Sequence, residues 1–198
     1  DDGDGIANCV DPCPVFVDRA PPQNTTAMPG STGNPWPSIQ PAIDGSGTCD
    51  RVLVHPGTYV ENVRFNGHEV RLESVSGPTV TTIDGNRNGA AVTFDQGESY
   101  PAALVGFRVT GGSGNAIYSL WKEVLATPAN DTSGGGIFVK AASPLIQGNV
   151  VVGNDVQDQG GGIFLYASYA HVVDNQVLDN IARDEHDCGA GILSTNSE

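Results

Sequence analysis

The sequence predicts an all-β solenoid, a right-handed parallel β-helix in which short strands coil into stacked rungs of about 26 residues. The first observation is an internal repeat: Gly-Gly-Gly-Ile-Phe-Val at 134–139 returns as Gly-Gly-Gly-Ile-Phe-Leu at 160–165, an offset of 26. The second is the density of turn-forming residues, 26 glycines and 13 prolines, which leaves little room for long helices. Because such a rung cannot bury its apolar face alone, stacked rungs must share a core.

The segments that follow the two hexapeptides align at the same offset. Their asparagines coincide, Asn149 with Asn175 and Asn154 with Asn180. Asparagine tolerates the positive φ of tight corners, and its amide can bond from rung to rung. We therefore expect these pairs to form ladders at two corners. A third copy of the repeat begins at Gly189, delayed by three residues that fit an acidic loop before it.

Upstream of residue 134 the period is looser, but the strand signals persist. Short β-branched segments bounded by Gly, Asn, Asp or Pro are typical of strands. They occur at 52–54, 70–72 and 91–94, and 103–110 fills the second half of the rung begun at Ala91. In each strand alternate residues should point inward, as with Ile137 and Val139.

One rung carries an insertion at 111–133, about twenty residues longer than the later copies. The shorter loops 155–159 and 181–187 leave the rung at the equivalent point, so the three loops should stack along one edge. Solenoid insertions often form the binding face, and aromatic rings can stack on sugars. The predicted glycan-binding residues are Tyr118, Trp121 and Tyr166. The alternative is that Trp121 packs its own loop onto the barrel.

The charge and the cysteines limit the function. The net charge is −14, from 9 basic and 23 acidic residues, which disfavours nucleic acid and anionic membranes as partners. An acidic surface can bind calcium or simply aid solubility, and both interpretations stay open. No apolar run is long enough for membrane insertion. Four cysteines suit a secreted, extracellular or cell-surface protein, and we expect a mature or truncated chain without its leader.

The segment 1–14 alternates carboxylates with glycines, an arrangement that can fold around one hard cation. It resembles the thrombospondin type 3 calcium repeat, but Asn8 replaces an aspartate and the first aspartate of the pattern would precede Asp1. The predicted calcium ligands are Asp2, Asp4, Ile6 through its carbonyl, Asn8 and Asp11. A solvated acidic tail is the alternative. The predicted β-helix then covers 15–198.

Three motifs resemble secreted bacterial β-helix proteins of the pectin-lyase-like superfamily. They are Val-His-Pro-Gly-Thr-Tyr-Val-Glu-Asn at 54–62, Ile-Asp-Gly at 83–85, and Gly-Phe-Arg-Val-Thr-Gly-Gly at 106–112. The resemblance implies a right-handed β-helix from about residue 15 to the end. It also implies a short amphipathic cap helix at 38–43, which its flanking prolines limit to a turn or two. Such a cap covers the open end of the solenoid.

That superfamily contains polysaccharide lyases, hydrolases, epimerases and adhesins, so the fold alone does not choose a function. A calcium-dependent lyase would need a basic residue to abstract a sugar proton. The weak candidates are Lys140, Arg108 and Arg183, with a plain surface lysine the favoured interpretation of Lys140. The sequence shows no paired aspartates with Gly-His-Gly, the hydrolase pattern.

The sequence therefore predicts an extracellular structural, adhesive or glycan-binding β-helix protein, stabilised by calcium, without an evident catalytic site in this segment. The alternative is a calcium-dependent polysaccharide lyase or a related glycan-processing enzyme. The expected partner is a polysaccharide or a cell-surface glycan. An open last rung would also permit end-to-end self-association.

Overall fold

The computed structural model describes residues 14–19, 28–48, 50–116, 132–183 and 189–195. Within them lie twenty short strands and one helix. The elements of the N-terminal part are β1 (Pro14–Val17), α1 (Ile39–Asp44), β2 (Arg51–Val54), β3 (Gly57–Val60), β4 (Val63–Arg64), β5 (Arg71–Ser74), β6 (Thr81–Asp84), β7 (Val92–Phe94), β8 (Ala103–Val105), β9 (Arg108–Thr110) and β10 (Asn115–Ala116). Those of the C-terminal part are β11 (Thr132–Ser133), β12 (Ile137–Lys140), β13 (Leu145–Gln147), β14 (Val150–Val152), β15 (Asp155–Val156), β16 (Ile163–Tyr166), β17 (His171–Val173), β18 (Gln176–Leu178), β19 (Ile181–Ala182) and β20 (Ile192–Thr195).

Most of these strands form three parallel sheets. The first sheet has the order β1-β2-β5-β8-β13-β17, the second β3-β6-β9-β14-β18 and the third β4-β7-β12-β16-β20. From β2 onward the chain visits the first, second and third sheets in that fixed order and then returns to the first. Two small pairs, β10-β11 and β15-β19, lie between the second and third sheets in chain order. This all-β arrangement of stacked parallel strands is compatible with a β-helix.

The strand predictions are confirmed with one refinement. β2, β5 and β7 lie where strands were expected, but 103–110 is divided between two sheets. The division falls at Gly106, whose φ of +75° turns the chain from β8 in the first sheet to β9 in the second.

The core is made of inward-facing side chains that stack in register. In the first sheet Val52, Leu72, Leu104 and Ile146 occupy the same register position, and all four are fully buried. The other two sheets contribute matching rows to the same cluster. Burying each such side chain contributes about 1.5–3 kcal/mol, so the stack rather than any single rung supplies the stability.

The predicted asparagine ladders are present at two corners. Asn149 Nδ2 donates to Asn175 Oδ1 at 2.9 Å, and Asn154 Nδ2 donates to Asn180 Oδ1 at 2.9 Å. Asn149 Oδ1 in turn accepts from the backbone N–H of Phe107 at 2.9 Å. Each amide thus forms hydrogen bonds with buried backbone groups of the neighbouring rung. Because burial removes these groups from water, they would have no partner without the amide.

The glycines of the repeat are required because neighbouring rungs approach closely. A Cβ at Gly136 would lie 2.5 Å from Val151 Cγ1 and 2.6 Å from the carbonyl oxygen of Gly162. A Cβ at Gly112, one rung earlier, would lie 1.7 Å from the carbonyl oxygen of Gly135. Any side chain at these positions would force the rungs apart.

The cap helix implied at 38–43 is observed as α1. Glu61 caps its N-terminus, because the carboxylate oxygens accept from the backbone N–H groups of Ile39 and Gln40, both at 2.9 Å. The Gln40 side chain pairs with the backbone of Arg64, accepting from N–H at 2.7 Å and donating to C=O at 2.9 Å. Gln40 therefore covers part of the open edge of the third sheet. No helix in the described part of the chain is both long and apolar enough to cross a membrane.

Candidate functional site

The candidate site lies on the outer face of the third sheet. β12 and β16 pair in register there, so Lys140 is the direct neighbour of Tyr166. Ile137 and Val139 point into the core and are fully buried. Alternation along the strand therefore turns Lys140 outward, and its register partner Tyr166 faces outward beside it. Lys140, a candidate catalytic base, and Tyr166, a predicted glycan-binding residue, therefore lie side by side.

A row of stacked rings supports Tyr166. The Phe138 and Phe164 rings lie 5.8 Å apart at 18°, and the Phe164 and Tyr166 rings lie 6.5 Å apart at 5°. Although they are on the outward side of their strands, Phe138 and Phe164 are only 3% and 2% exposed. They form a second apolar cluster outside the main core. Tyr166 is half-buried against this cluster, so the orientation of its ring is restrained.

Lys140 is exposed, and within the described residues it has no ion pair. Asp95 follows Phe94, the register partner of Val139. Asp95 Oδ2 is already bound to Arg64 Nη2 at 2.6 Å. Asp95 Oδ1 is buried and has no hydrogen-bond partner. Among the described residues no carboxylate pairs with the Lys140 ammonium, which can therefore donate to a ligand.

The other two candidate bases lie elsewhere. Arg108 is exposed on the outer face of the second sheet, between Thr82 and Val150 in register. Arg183 lies on the loop edge and binds Asp155 with two nitrogens, Nε at 2.7 Å and Nη2. The three basic residues are therefore not brought into one site.

Arg183 is poorly suited to accept a proton. Its hydrogen bonds to Asp155 raise the pKa of the guanidinium above its already high usual value. The same bonds, with Arg87 3.8 Å from the carboxylate, hold the pKa of Asp155 below its usual range. Asp155 is therefore the centre of an ion-pair network with Arg183 and Arg87.

The described residues at the bases of the three loops, 111–133, 155–159 and 181–187, lie as the repeat predicts. The insertion at 111–133 leaves through an antiparallel stem, β10-β11. Thr132 of this stem accepts from the backbone N–H of Asp158 at 3.1 Å, and β15 pairs with β19 in parallel. The roots of the three loops therefore stack along one edge. Tyr118 and Trp121 lie outside the described residues, so their proposed contact with glycans stays a prediction.

The calcium segment also lies outside the described residues. This applies to all five predicted ligands, Asp2, Asp4, Ile6, Asn8 and Asp11. It applies as well to the four cysteines. The predicted boundary after residue 14 falls within β1. Within the described ranges no group of three or more His, Cys, Asp or Glu side chains is arranged to hold a metal ion. Calcium binding therefore remains a prediction from the motif.

Sequence reasoning missed the outward-facing phenylalanines and the pairing of Lys140 with Tyr166. Both have a signal in the repeat, since Phe138 and Phe164 occupy the same place in the two hexapeptides. Tyr166 follows Lys140 at the 26-residue offset. By contrast, Arg183 lies two residues beyond the register partner of Asp155, so the 26-residue offset does not predict their ion pair.

Comparisons with known proteins assign no family to the chain. No protein-family model matches it, and no curated protein and no solved structure gives a significant match. The case for a function therefore rests on the residues of this chain, their geometry and the motifs of the sequence.

Proposed function

We propose that this chain is an extracellular β-helix protein with a structural or adhesive role, which binds glycans on the outer face of the third sheet. The observation that carries the proposal is the pair Lys140 and Tyr166, held side by side on a rigid face. A tyrosine ring offers an apolar surface to the C–H groups of a sugar, and its hydroxyl can bond to sugar oxygens. An unpaired ammonium adds three donors.

The finer fold assignment is part of the proposal. We infer a right-handed solenoid of the pectin-lyase-like type, supported by the cyclic order of the three sheets. Two residues of the motif at 54–62, Glu61 and Asn62, also support it, because each forms hydrogen bonds with the backbone of another segment. Glu61 caps α1, and Asn62 Nδ2 donates to the carbonyl of Ala90 in the next rung at 2.9 Å.

Calcium forms the second part of the proposal and rests on the sequence 1–14. Titration calorimetry of the whole chain should detect one site that Asp4→Ala weakens at least tenfold, because the substitution removes one ligand carboxylate. Asp179→Ala, an exposed carboxylate on a described turn, is the matched control and should leave the site unchanged. Equal affinity in wild type and Asp4→Ala would remove the calcium site from the proposal.

Glycan binding is tested with a panel of polygalacturonate, alginate, xylan, cellulose and chitin. Tyr166→Ala and Lys140→Ala should each lower affinity for the bound polysaccharide about 5- to 10-fold, the equivalent of ~1–1.4 kcal/mol. Arg108→Ala and Leu178→Ala change exposed residues of the second sheet and serve as controls. Equal losses in all four variants, or no binding to any polysaccharide, would contradict the assigned face.

The same samples separate binding from catalysis. A lyase releases unsaturated uronides that absorb in the ultraviolet, so polygalacturonate and alginate are followed by absorbance with calcium present. We expect no increase above the protein-free control. An increase that disappears in Lys140→Ala would establish the enzyme alternative and identify Lys140 as the base.

A further inference from the structure

The corner between the third and first sheets carries exposed tyrosines that the loop-edge prediction does not include. Three successive turns form it, at 95–102, 141–144 and 167–170. They stack because Ser143 N–H donates to the carbonyl of Glu98 at 2.7 Å, and Ser168 Oγ donates to the carbonyl of Ala142 at 2.7 Å. The strands that leave the turns, β8, β13 and β17, are in register.

The outer two turns each present a tyrosine. Tyr100 is 75% exposed and Tyr169 is 60% exposed, the highest values after Met28 among the large hydrophobic residues that the structure describes. The middle turn presents only Ala141 and Ser143, while its other two residues are buried. Two strand spacings, about 9–10 Å, therefore separate the rungs of the two tyrosines, with small side chains between them.

The Lys140–Tyr166 pair borders this corner. Lys140 immediately precedes the middle turn, and Tyr166 immediately precedes the last one. The two are linked at this point, because the backbone N–H of Ala141 donates to the carbonyl of Tyr166 at 2.9 Å. Tyr169 lies three residues after Tyr166, so a surface that includes Tyr166 continues onto the corner.

The surroundings of the tyrosines favour a sugar over a protein partner. Around Tyr100 the exposed residues are Gln96, Gly97 and Ser99, and the described turn between the two rings exposes no large apolar side chain, since only Ala141 and Ser143 are accessible there. A protein interface of ordinary size needs an apolar centre of several side chains. Isolated rings separated by polar groups instead fit a ligand that alternates C–H faces with hydroxyls, as a glycan chain does.

We propose that Tyr169 and Tyr100 extend the glycan-binding face, so that a linear glycan lies along the corner in the stacking direction and contacts three rungs. This inference rests on the proposed function, and it adds the direction of the bound chain and a minimum length. The glycan contacts Tyr166 and Tyr169 on the last rung and Lys140 on the middle rung, and it reaches Tyr100 only when it extends beyond the middle rung.

The test is affinity as a function of glycan length. Oligosaccharides from dimer to octamer are prepared from the polysaccharide that binds best in the panel. Tyr169→Ala should weaken all lengths, whereas Tyr100→Ala should leave the shortest unchanged and weaken the longest roughly 3- to 10-fold. Val80→Ala, an exposed side chain of the first-to-second-sheet turn, is the control. Melting temperatures show whether each variant is folded.

The outcomes separate the two proposals. If Tyr166→Ala weakens binding while Tyr100→Ala changes nothing at any length, the extension is wrong and the face remains. An equal effect of Tyr100→Ala at every length would also overturn the extension, since the chain would then not span the rungs. If no polysaccharide binds the wild-type protein, both proposals fail.

Discussion

The rungs built from 132–183 and those built from 50–116 share the same three sheets but satisfy their buried polar groups in different ways. In the later rungs the first-to-second-sheet corner is a tight turn closed by Asn149, whose amide bonds to both neighbouring rungs. In an earlier rung that corner is the longer turn between β5 and β6, closed by Ser74 Oγ donating to Thr81 Oγ1 at 2.7 Å.

In the earlier rungs carboxylates also bind buried backbone groups. Glu61 binds the first N–H groups of α1, and the buried Glu98 accepts from the backbone N–H groups of Gly67 at 2.9 Å and Gln96 at 3.0 Å. When the same hydrogen bond recurs in each rung, the residue that makes it recurs in the sequence at a constant spacing. A hydrogen bond that forms only once produces no such repeat. This is why the 26-residue repeat is visible only from Gly134 onward.

The largest effect should come from breaking a ladder. Asn149→Ala removes the acceptor of Phe107 N–H and the donor to the carbonyl of Leu104, both buried, and should cost about 2–4 kcal/mol. Chemical denaturation measures the loss. Asn88→Ala, an exposed asparagine of the earlier rungs, should change stability by less than about 0.5 kcal/mol. Similar losses in the two variants would show that the ladder is dispensable.

A slightly smaller loss is expected from separating the rungs. Gly136→Ala places a Cβ 2.5 Å from Val151 Cγ1 and should cost about 1–3 kcal/mol by overpacking. Gly191→Ala is the matched control, because a Cβ there has no atom within 4 Å. Thermal unfolding of the two variants compares the positions, and an unchanged midpoint for Gly136→Ala would contradict the close approach.

In the earlier rungs, stability should depend most on the contact between Glu61 and the cap helix α1. Glu61→Ala leaves the N–H groups of Ile39 and Gln40 without their acceptor and should cost about 1–2 kcal/mol. Hydrogen exchange should show lost protection confined to α1 and the adjoining edge of the third sheet. Glu61→Gln keeps one acceptor oxygen and should lose less. A loss spread evenly over all rungs would mean that the carboxylate does more than cap the helix.

The smallest effect concerns the ion pair of the loop edge. Because the pKa of Asp155 is lowered in the folded protein, its contribution is complete above the unfolded value near 3.8 and is lost as pH falls through the folded value. Because Arg183 is exposed, solvent screening should keep this contribution the smallest of the four. Asp155→Asn should therefore reduce the loss of stability below about pH 4. Identical acid denaturation profiles would contradict this.

Much of the architecture could be predicted from the chain alone. The ladder pairs Asn149/Asn175 and Asn154/Asn180, the short cap helix and most strands lie where the patterns indicate them. The candidate site was predicted less well. Lys140 and Tyr166 were recognised as separate candidates, and only the register of β12 and β16 makes them neighbours.

The sequence by itself determined the period, the residues that turn the chain and the two ladders, because these depend on local backbone geometry repeated at a constant spacing. The tertiary structure alone decided that the outward side of two strands is buried as well. Phe138 and Phe164 are on the outward side by alternation yet are buried, since burial depends on what packs against a face. It also decided that Asp155 binds Arg183 and that Gln40 covers a sheet edge, because each contact depends on how two side chains are placed and not on the repeat spacing.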